Sequence, residues 1–198
     1  MDWLPIDPTE HERRMSEIRR MEEVFYLTAD WEYLDRFFAP NITIEELLGR
    51  YAAGERNFTD ICLPVGRWDL SDVNLAEAIL IGANLSNGLS TDPGLISMIG
   101  ANLRGADLRY AYLGNIDFTR ANLTSTNLSE AYLRSCDLTG ADLSESILSN
   151  ADIVGAKIID VKMRDTIGHF GMAHSAFFGR TVELADGSVE IRGDYVEG

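Results

Sequence analysis

Between positions 100 and 163 a large apolar side chain falls on every fifth residue without interruption: Leu103, Leu108, Leu113, Phe118, Leu123, Leu128, Leu133, Leu138, Leu143, Leu148, Ile153, Ile158 and Met163. Two residues before each stands a small or compact one, among them Ala101, Ala106, Ala111, Ile116, Thr126, Cys136 and Ser146. The positions between are mostly Asn, Asp, Ser, Thr, Gly and Arg. A continuous helix is excluded, because at about 100° per residue a five-residue step would turn successive leucines roughly 140° apart around the axis. A long strand is excluded as well, since an odd period throws them onto alternate faces. A short extended piece with its first and third residues inward, followed by a polar corner, satisfies the pattern. Repeated in one sense it closes a polygonal coil, the self-similarity expected of a solenoid.

The tandem phrases ANLRG, ADLRY, ANLTS, CDLTG and ADLSE resemble the pentapeptide-repeat proteins, and LLGRYAAGERNF resembles the run before the repeats in many such proteins of photosynthetic prokaryotes. The resemblance implies an all-β solenoid, a right-handed quadrilateral β-helix with four pentapeptides per coil and side chains stacked twenty residues apart. Coils would rise by the inter-strand spacing of about 4.8 Å. The expected ladders are Phe118, Leu138, Ile158 and Phe178; Leu103, Leu123, Leu143 and Met163; Leu108, Leu128 and Leu148; and Leu113, Leu133 and Ile153.

The beat divides the chain. Residues 1–57 lack it and read as a small helical N-terminal segment; 58–178 form the repeat region, irregular at 64–69 and 86–97; 179–198 read as a C-terminal hairpin and tail. Asp7 with Pro8 caps a first helix bearing Met15, Ile18 and Phe25, and Trp31, Leu34 and Phe38 suggest a second. Thr43 and Glu46 form a capping box for a third, with Ile44, Leu47, Leu48 and Tyr51 inward and Gly54 at its end. These helices are expected to cover the open first coil, or in part to be a docking surface. Phe58 and Leu63 look like the first inward pair. Two extra residues precede Leu70, and thirteen rather than ten separate Leu85 from Met98, a bulge turned by Asp92, Pro93 and Gly94. TVELADGSVEIR pairs Val182 with Ile191 and Leu184 with Val189 across an Asp186–Gly187 turn.

Charge narrows the function. The formal net charge is −15, spread as seven basic against thirteen acidic residues in 1–57, eight against fourteen in 58–168 and two against five in 169–198. Direct nucleic-acid binding is therefore not expected. No apolar run approaches the roughly 18 residues of a membrane helix and the acidic start does not read as a signal peptide, so the cytoplasm is the expected compartment. Cys136 takes an inward position and Cys62 an outward one, which does not suggest a bridge.

Catalytic residues, cofactors and metal ligands are not expected. His11, His169 and His174 are the only histidines, and the last two point apart; no nucleophile set or phosphate loop is present. The aspartates before the leucines, such as Asp107, Asp137 and Asp142, read as turn-formers. Two outward groups are the binding candidates. Tyr112 and Tyr132 stack twenty apart with Tyr110 beside them, and Arg104, Arg109, Arg120 and Arg134 lie on neighbouring repeats. Ile147 and Ile167 also stack outward, near Val154 and Ile159, and call for cover from residues 169–198 or a homodimer. The reading is a non-enzymatic scaffold for an unidentified protein partner. The alternative, implied by the resemblance, is an acidic DNA mimic that modulates a type II topoisomerase such as gyrase.

Overall fold

The computed structural model describes residues 3, 5, 7–23, 39–64, 68–85, 96–168 and 177–178. In the unit 122–126 every backbone N–H is satisfied, and the unit's sequence shows how. In 122–126, Asn122 N–H donates to the Ala101 carbonyl at 2.8 Å, Leu123 to Asp142 at 2.8 Å and Ser125 to Ser144 at 2.9 Å, all between successive twenty-residue tiers. Thr126 N–H closes the turn on the Leu123 carbonyl at 3.3 Å. The remaining donor, Thr124 N–H, is taken by the Asn122 side chain at 3.1 Å. An unpaired buried amide would be costly, so an Asn or Asp before the leucine serves the backbone of its own unit. The same bond recurs at Asp69, Asp107, Asp117, Asp137, Asp142 and Asp152.

The second turn residue has positive φ at every fifth position from Gly100 (67°) to Asp165 (56°), most of them not glycine. With the hydrogen bond from residue four to residue one, this is a type II turn. Leaving φ > 0 to Arg120, Glu130 or Glu145 costs about 1–2 kcal/mol each, offset by the amide bonds that tie every tier to the next.

The expected fold class needs correction here. Strands β1 (Trp68–Asp69), β2 (Ile96–Ser97), β3 (Ile116–Asp117), β4 (Lys157–Ile158) and β5 (Phe177–Phe178) are two residues long. They form one open three-stranded sheet, β1-β2-β3, and one two-stranded sheet, β4-β5, and neither curls closed into a β-helix or solenoid. The other links between tiers are isolated parallel bridges, such as Asn102↔Asn122 and Tyr132↔Asp152. The reason lies in the unit itself: a turn with a left-handed residue in every five leaves no extended run long enough for a continuous sheet.

The bridges also set the true register. Pairs are twenty residues apart from Ile96↔Ile116 onward, and Ile158↔Phe178 continues the Phe118 column as expected. Asn57↔Ile79 is twenty-two apart, placing the two extra residues as read. Asn74↔Asn102 is twenty-eight apart, so the second irregularity holds eight extra residues rather than three. Three and eight differ by one whole repeat length, which counting against the beat cannot detect. The turn proposed at Asp92, Pro93 and Gly94 lies outside the described residues, as do the second helix and the C-terminal hairpin.

The leucine columns form one continuous core. Leu103, Leu108, Leu113, Phe118, Leu123, Leu128, Leu133, Leu138, Leu143, Leu148, Ile153 and Ile158 are all 2% exposed or less. Met163, in the last regular tier, is only half-buried against that core. Inside one column Ala106 gives way to Thr126, Ser146 and Thr166, whose hydroxyls donate to the Leu123 or Leu143 carbonyls at 2.6–2.8 Å, so these polar groups are satisfied.

Two helices sit at the first tier. Helix α1 (Pro8–Glu23) starts as read, with Thr9 N–H on Asp7 Oδ1 at 2.8 Å. Helix α2 (Ile44–Ala52) is capped by Thr43, whose hydroxyl accepts Glu46 N–H at 3.1 Å, and Gly54 follows it at φ 97°. Its Leu47 is buried and its Tyr51 hydroxyl donates to the Ala76 carbonyl at 2.9 Å. Ahead of α2, Asn41 bonds the edge of the first tier through Cys62 N–H (2.9 Å), the Cys62 carbonyl (3.0 Å) and the Asp60 carbonyl (2.9 Å). An open edge is thereby blunted.

Cys62, expected to point outward, is buried beside this contact, and Cys136 is fully buried with its thiol on the Leu113 carbonyl at 2.8 Å. Burial pushes the Cys136 thiol from its ordinary 9.0 up to about 12 and Cys62 up to about 11. A raised thiol pKa keeps its stabilising contribution below the unfolded value and loses it as pH rises through the folded one. Wild-type stability should therefore fall more steeply than that of Cys136→Ala between about pH 9 and 12, as read by urea midpoints. Below that window the difference between the two should be independent of pH.

Candidate functional site

Ile79, Tyr112, Tyr132, Ile147, Lys157 and Lys162 stand where other units have the turn-forming Asn or Asp, and on one side of the stack the replacements are aromatic. In its outward column Tyr112 bridges Tyr132 and Tyr132 bridges Asp152. A tyrosine at this position has no carboxamide or carboxylate to accept the amide two residues on, so the local reason for Asn or Asp has been given up. What replaces it is an aromatic pair, with ring centroids 6.3 Å apart and planes tilted 41°. Gly114 makes room for it: a Cβ there would meet the Tyr132 ring at 3.2 Å. Arg134 lies with its guanidinium carbon 5.1 Å from the Tyr132 centroid, and its Nε donates to Asp152 Oδ2 at 2.6 Å. The other Asp152 oxygen still takes the Val154 amide at 3.1 Å. The Arg134 and Asp152 side chains are 16% and 13% exposed, so the ion pair is held in a partly desolvated position.

Above this pair the surface runs beneath α1. Tyr110 and Tyr112 occupy outward positions yet are buried, and α1's Arg13 and Arg14 share with them a cavity of about 290 Å³, also lined by Asp60, Cys62 and Asn84. Arg14 is the buried anchor: Nη1 and Nη2 donate to Asp60 Oδ1 and Oδ2 at 2.6 and 3.0 Å, and Nε pairs with Glu10 at 2.7 Å. Its guanidinium carbon stands 5.9 Å from the Tyr110 centroid. Gly82 forms the floor, where a Cβ would come within 1.8 Å of Arg14 Nη1. Burial first, and the Glu130 carboxylate next, raise the Tyr110 pKa, so its hydroxyl stays protonated.

The structure thus brings together Tyr110, Tyr112, Tyr132 and Arg134, but only the last two are partly open to solvent. The accessible strip of three tyrosines expected from spacing is corrected: α1's Arg14, which spacing could not place, lies against the upper ring. Arg109 is folded back in a fork onto Asp107 at 2.8 and 2.6 Å. Arg104 and Arg120 are exposed on other corners. Ile147 and Ile167 bridge each other in a separate column; Ile147 is half-buried and Ile167 is 61% exposed. Sequence reading missed Arg14, Asp60, Gly82 and Asp152. Asp60 and Gly82 precede Tyr110 in one corner column once twenty-two and twenty-eight replace twenty as the step.

Carboxylates elsewhere on the stack are paired along it. Lys157 Nζ reaches Asp137 at 2.8 Å and Lys162 reaches Asp142 at 3.3 Å. Burial alone would raise the Asp137 pKa, but bonds from Lys157 and Thr139 outweigh it and hold the carboxyl below its ordinary range. Among the described residues no group of three or more His, Cys, Asp or Glu is placed to hold a metal ion, and no helix is long and apolar enough to cross a membrane.

The chain matches the family model described as pentapeptide repeats in eight copies, over residues 69–87, 101–140 and 126–165. Among solved structures, it is 22% identical to the pentapeptide repeat protein Rfr23 from the cyanobacterium Cyanothece 51142, covering 64% of this chain and 91% of that one at a TM-score of 0.46. It is 32% identical to the pentapeptide repeat protein alr5209 from Nostoc Pcc 7120, covering 58% and 80% at a TM-score of 0.28. HetL, a pentapeptide repeat protein involved in heterocyst differentiation regulation from Nostoc sp. strain PCC 7120, is 23% identical over 75% of this chain and 77% of its own, at a TM-score of 0.30. No curated protein sequence matches the chain. The eight-copy match falls on the five-residue units whose amide bonding is described above, and the chain belongs to the pentapeptide-repeat family.

Proposed function

We propose that this protein is a non-enzymatic scaffold that binds a protein partner through its tyrosine side. Pentapeptide-repeat proteins are generally non-catalytic. The observation that carries the reading is the exchange at Tyr112 and Tyr132. There the turn-forming Asn or Asp is replaced by a stacked pair, and Arg134 is fixed on it by Asp152 at 2.6 Å. Tyrosine and arginine supply most interface hot spots, and side chains already held in place lose little entropy on binding. The cytoplasm is the proposed compartment, supported by two cysteines that are both free. Affinity capture from a lysate of the source cells tests the reading: a protein retained by wild type should be lost with Tyr132→Ala combined with Arg134→Ala. Equal retention would remove the tyrosine side as the site.

A second reading, the DNA mimic that modulates a type II topoisomerase, is favoured by the net charge of −15. Against it, Lys157 and Lys162 interrupt the carboxylate columns at Asp137 and Asp142. A supercoiling assay separates the two. The scaffold reading expects no inhibition and no drug protection of gyrase at stoichiometric protein.

A further inference from the structure

We infer that the protein surface received by the tyrosine side is uncharged, an apolar segment rather than a basic one; this rests on the tyrosine side being the binding face. Charge is unevenly placed around the stack. Each five-residue unit, from its small inward residue to its positive-φ corner as in 131–135, belongs to one side. Within 96–165 every exposed charged residue lies on two adjacent sides. Arg120, Lys157 and Asp160 are on the side of the Phe118 column, and Arg104, Glu145, Lys162, Arg164 and Asp165 on that of the Leu103 column. The other two sides expose none. On the Leu108 side Asp107 is buried in its fork with Arg109, and at the corner that joins the two sides Glu130 Oε1 accepts Asn150 Nδ2 at 2.9 Å. On the tyrosine side the two charged residues, Arg134 and Asp152, are bonded to each other at 2.6 Å.

What this side offers is therefore apolar or neutral. Tyr132 and Val154 are half-buried, and Ser135 is exposed at the corner. A lysine or arginine of the partner laid over Tyr132 would be desolvated beside Arg134, whose guanidinium carbon already stands 5.1 Å from that ring. It would find no counter-ion in Asp152, whose oxygens are taken by Arg134 and by the Val154 amide. A carboxylate of the partner would meet the field of a chain with net charge −15. An uncharged segment meets neither penalty and gains by covering the Tyr132 ring and Val154, as interface cores depleted in charge do. The charged half of the stack stays in water.

Ser135 provides the test. Its corner position carries Arg120, Glu130 and Glu145 on other units at φ of 59°, 60° and 61°, so a charge of either sign can be placed there without unfolding the unit. The Kd of the protein retained in the lysate capture, measured against the full chain, should be no tighter than wild type in both Ser135→Glu and Ser135→Arg. For wild type it should change by less than about threefold between about 0.05 and 0.5 M salt, because uncharged contacts are not screened. A tighter Kd in either variant would overturn the inference and give the sign of the partner's charge, Ser135→Glu revealing a basic surface and Ser135→Arg an acidic one. A larger salt effect would overturn it as well. Either result leaves the tyrosine side standing if Tyr132→Ala with Arg134→Ala weakens binding. An unchanged Kd in that double variant removes the tyrosine side and this inference with it.

Discussion

Phe118→Ala should cost about 3–5 kcal/mol, the range for emptying a buried aromatic site. Phe118 has no solvent exposure and stands between Met98 and Leu138 in its column, inside the one continuous core. Its own N–H is fixed on the Asp137 carbonyl at 2.7 Å, so the backbone cannot settle into the void without breaking the tie to the next tier. With total stabilities of about 5–15 kcal/mol for a domain, this is a large fraction of the whole. The urea midpoint reads it. Met163→Ala, in the half-buried last regular tier, should cost clearly less. A loss below about 1 kcal/mol at Phe118 would mean that the interior relaxes and the columns are not the source of rigidity.

Gly82→Ala is expected to break the Arg14–Asp60 fork and loosen α1 there while leaving the stack folded. Two terms add. At φ 64° any L side chain is strained, by about 1–2 kcal/mol. The new Cβ would also fall 1.8 Å from Arg14 Nη1 and 2.5 Å from Asp60 Oδ1, so the fork between them cannot persist. Losing charge-assisted bonds adds about 1.5–3 kcal/mol before allowance for Asp60's exposure. Hydrogen exchange should show α1 amides losing protection while those of 101–165 keep theirs. Gly140→Ala is the matched control. Its φ is 69°, but the Cβ would meet only the flexible Arg120 Cγ at 3.3 Å, so the strain appears without loss of the fork. Equal exchange in α1 for both variants would contradict the placement of Arg14.

What could be read from the sequence follows from how local each feature is. The five-residue beat, the inward pairs, the Asp7 and Thr43 caps and the Phe118 to Phe178 column are properties of neighbours in the chain or of a fixed step, and spacing suffices for them. The sheet could not be read so simply: an inward-facing pattern says which side chains are buried, but not that a turn in every five residues restricts the backbone to two-residue strands and single bridges. The eight-residue length of the insertion escaped because a shift by five leaves the beat unchanged, so three and eight extra residues count alike. At the site, the stacking of Tyr112 on Tyr132 was legible from the twenty-residue step. Their accessibility was not, because Arg14 arrives from nearly a hundred residues earlier and no periodic pattern relates α1 to the corner formed by Asp60, Gly82 and Tyr110. Nor was the Arg134 to Asp152 ion pair: the two lie eighteen residues apart, which only the stacking of tiers brings into contact.

The most direct test of the account is the dissociation constant of the retained partner for wild type and for Tyr132→Ala with Arg134→Ala, with Ile167→Asp as a control on the separate column. The account predicts at least a tenfold weaker Kd for the double variant, about 1.4 kcal/mol or more, and an unchanged Kd for the control. An unchanged Kd for the double variant would contradict it, and weakening by Ile167→Asp alone would move the binding face to the Ile147 and Ile167 column.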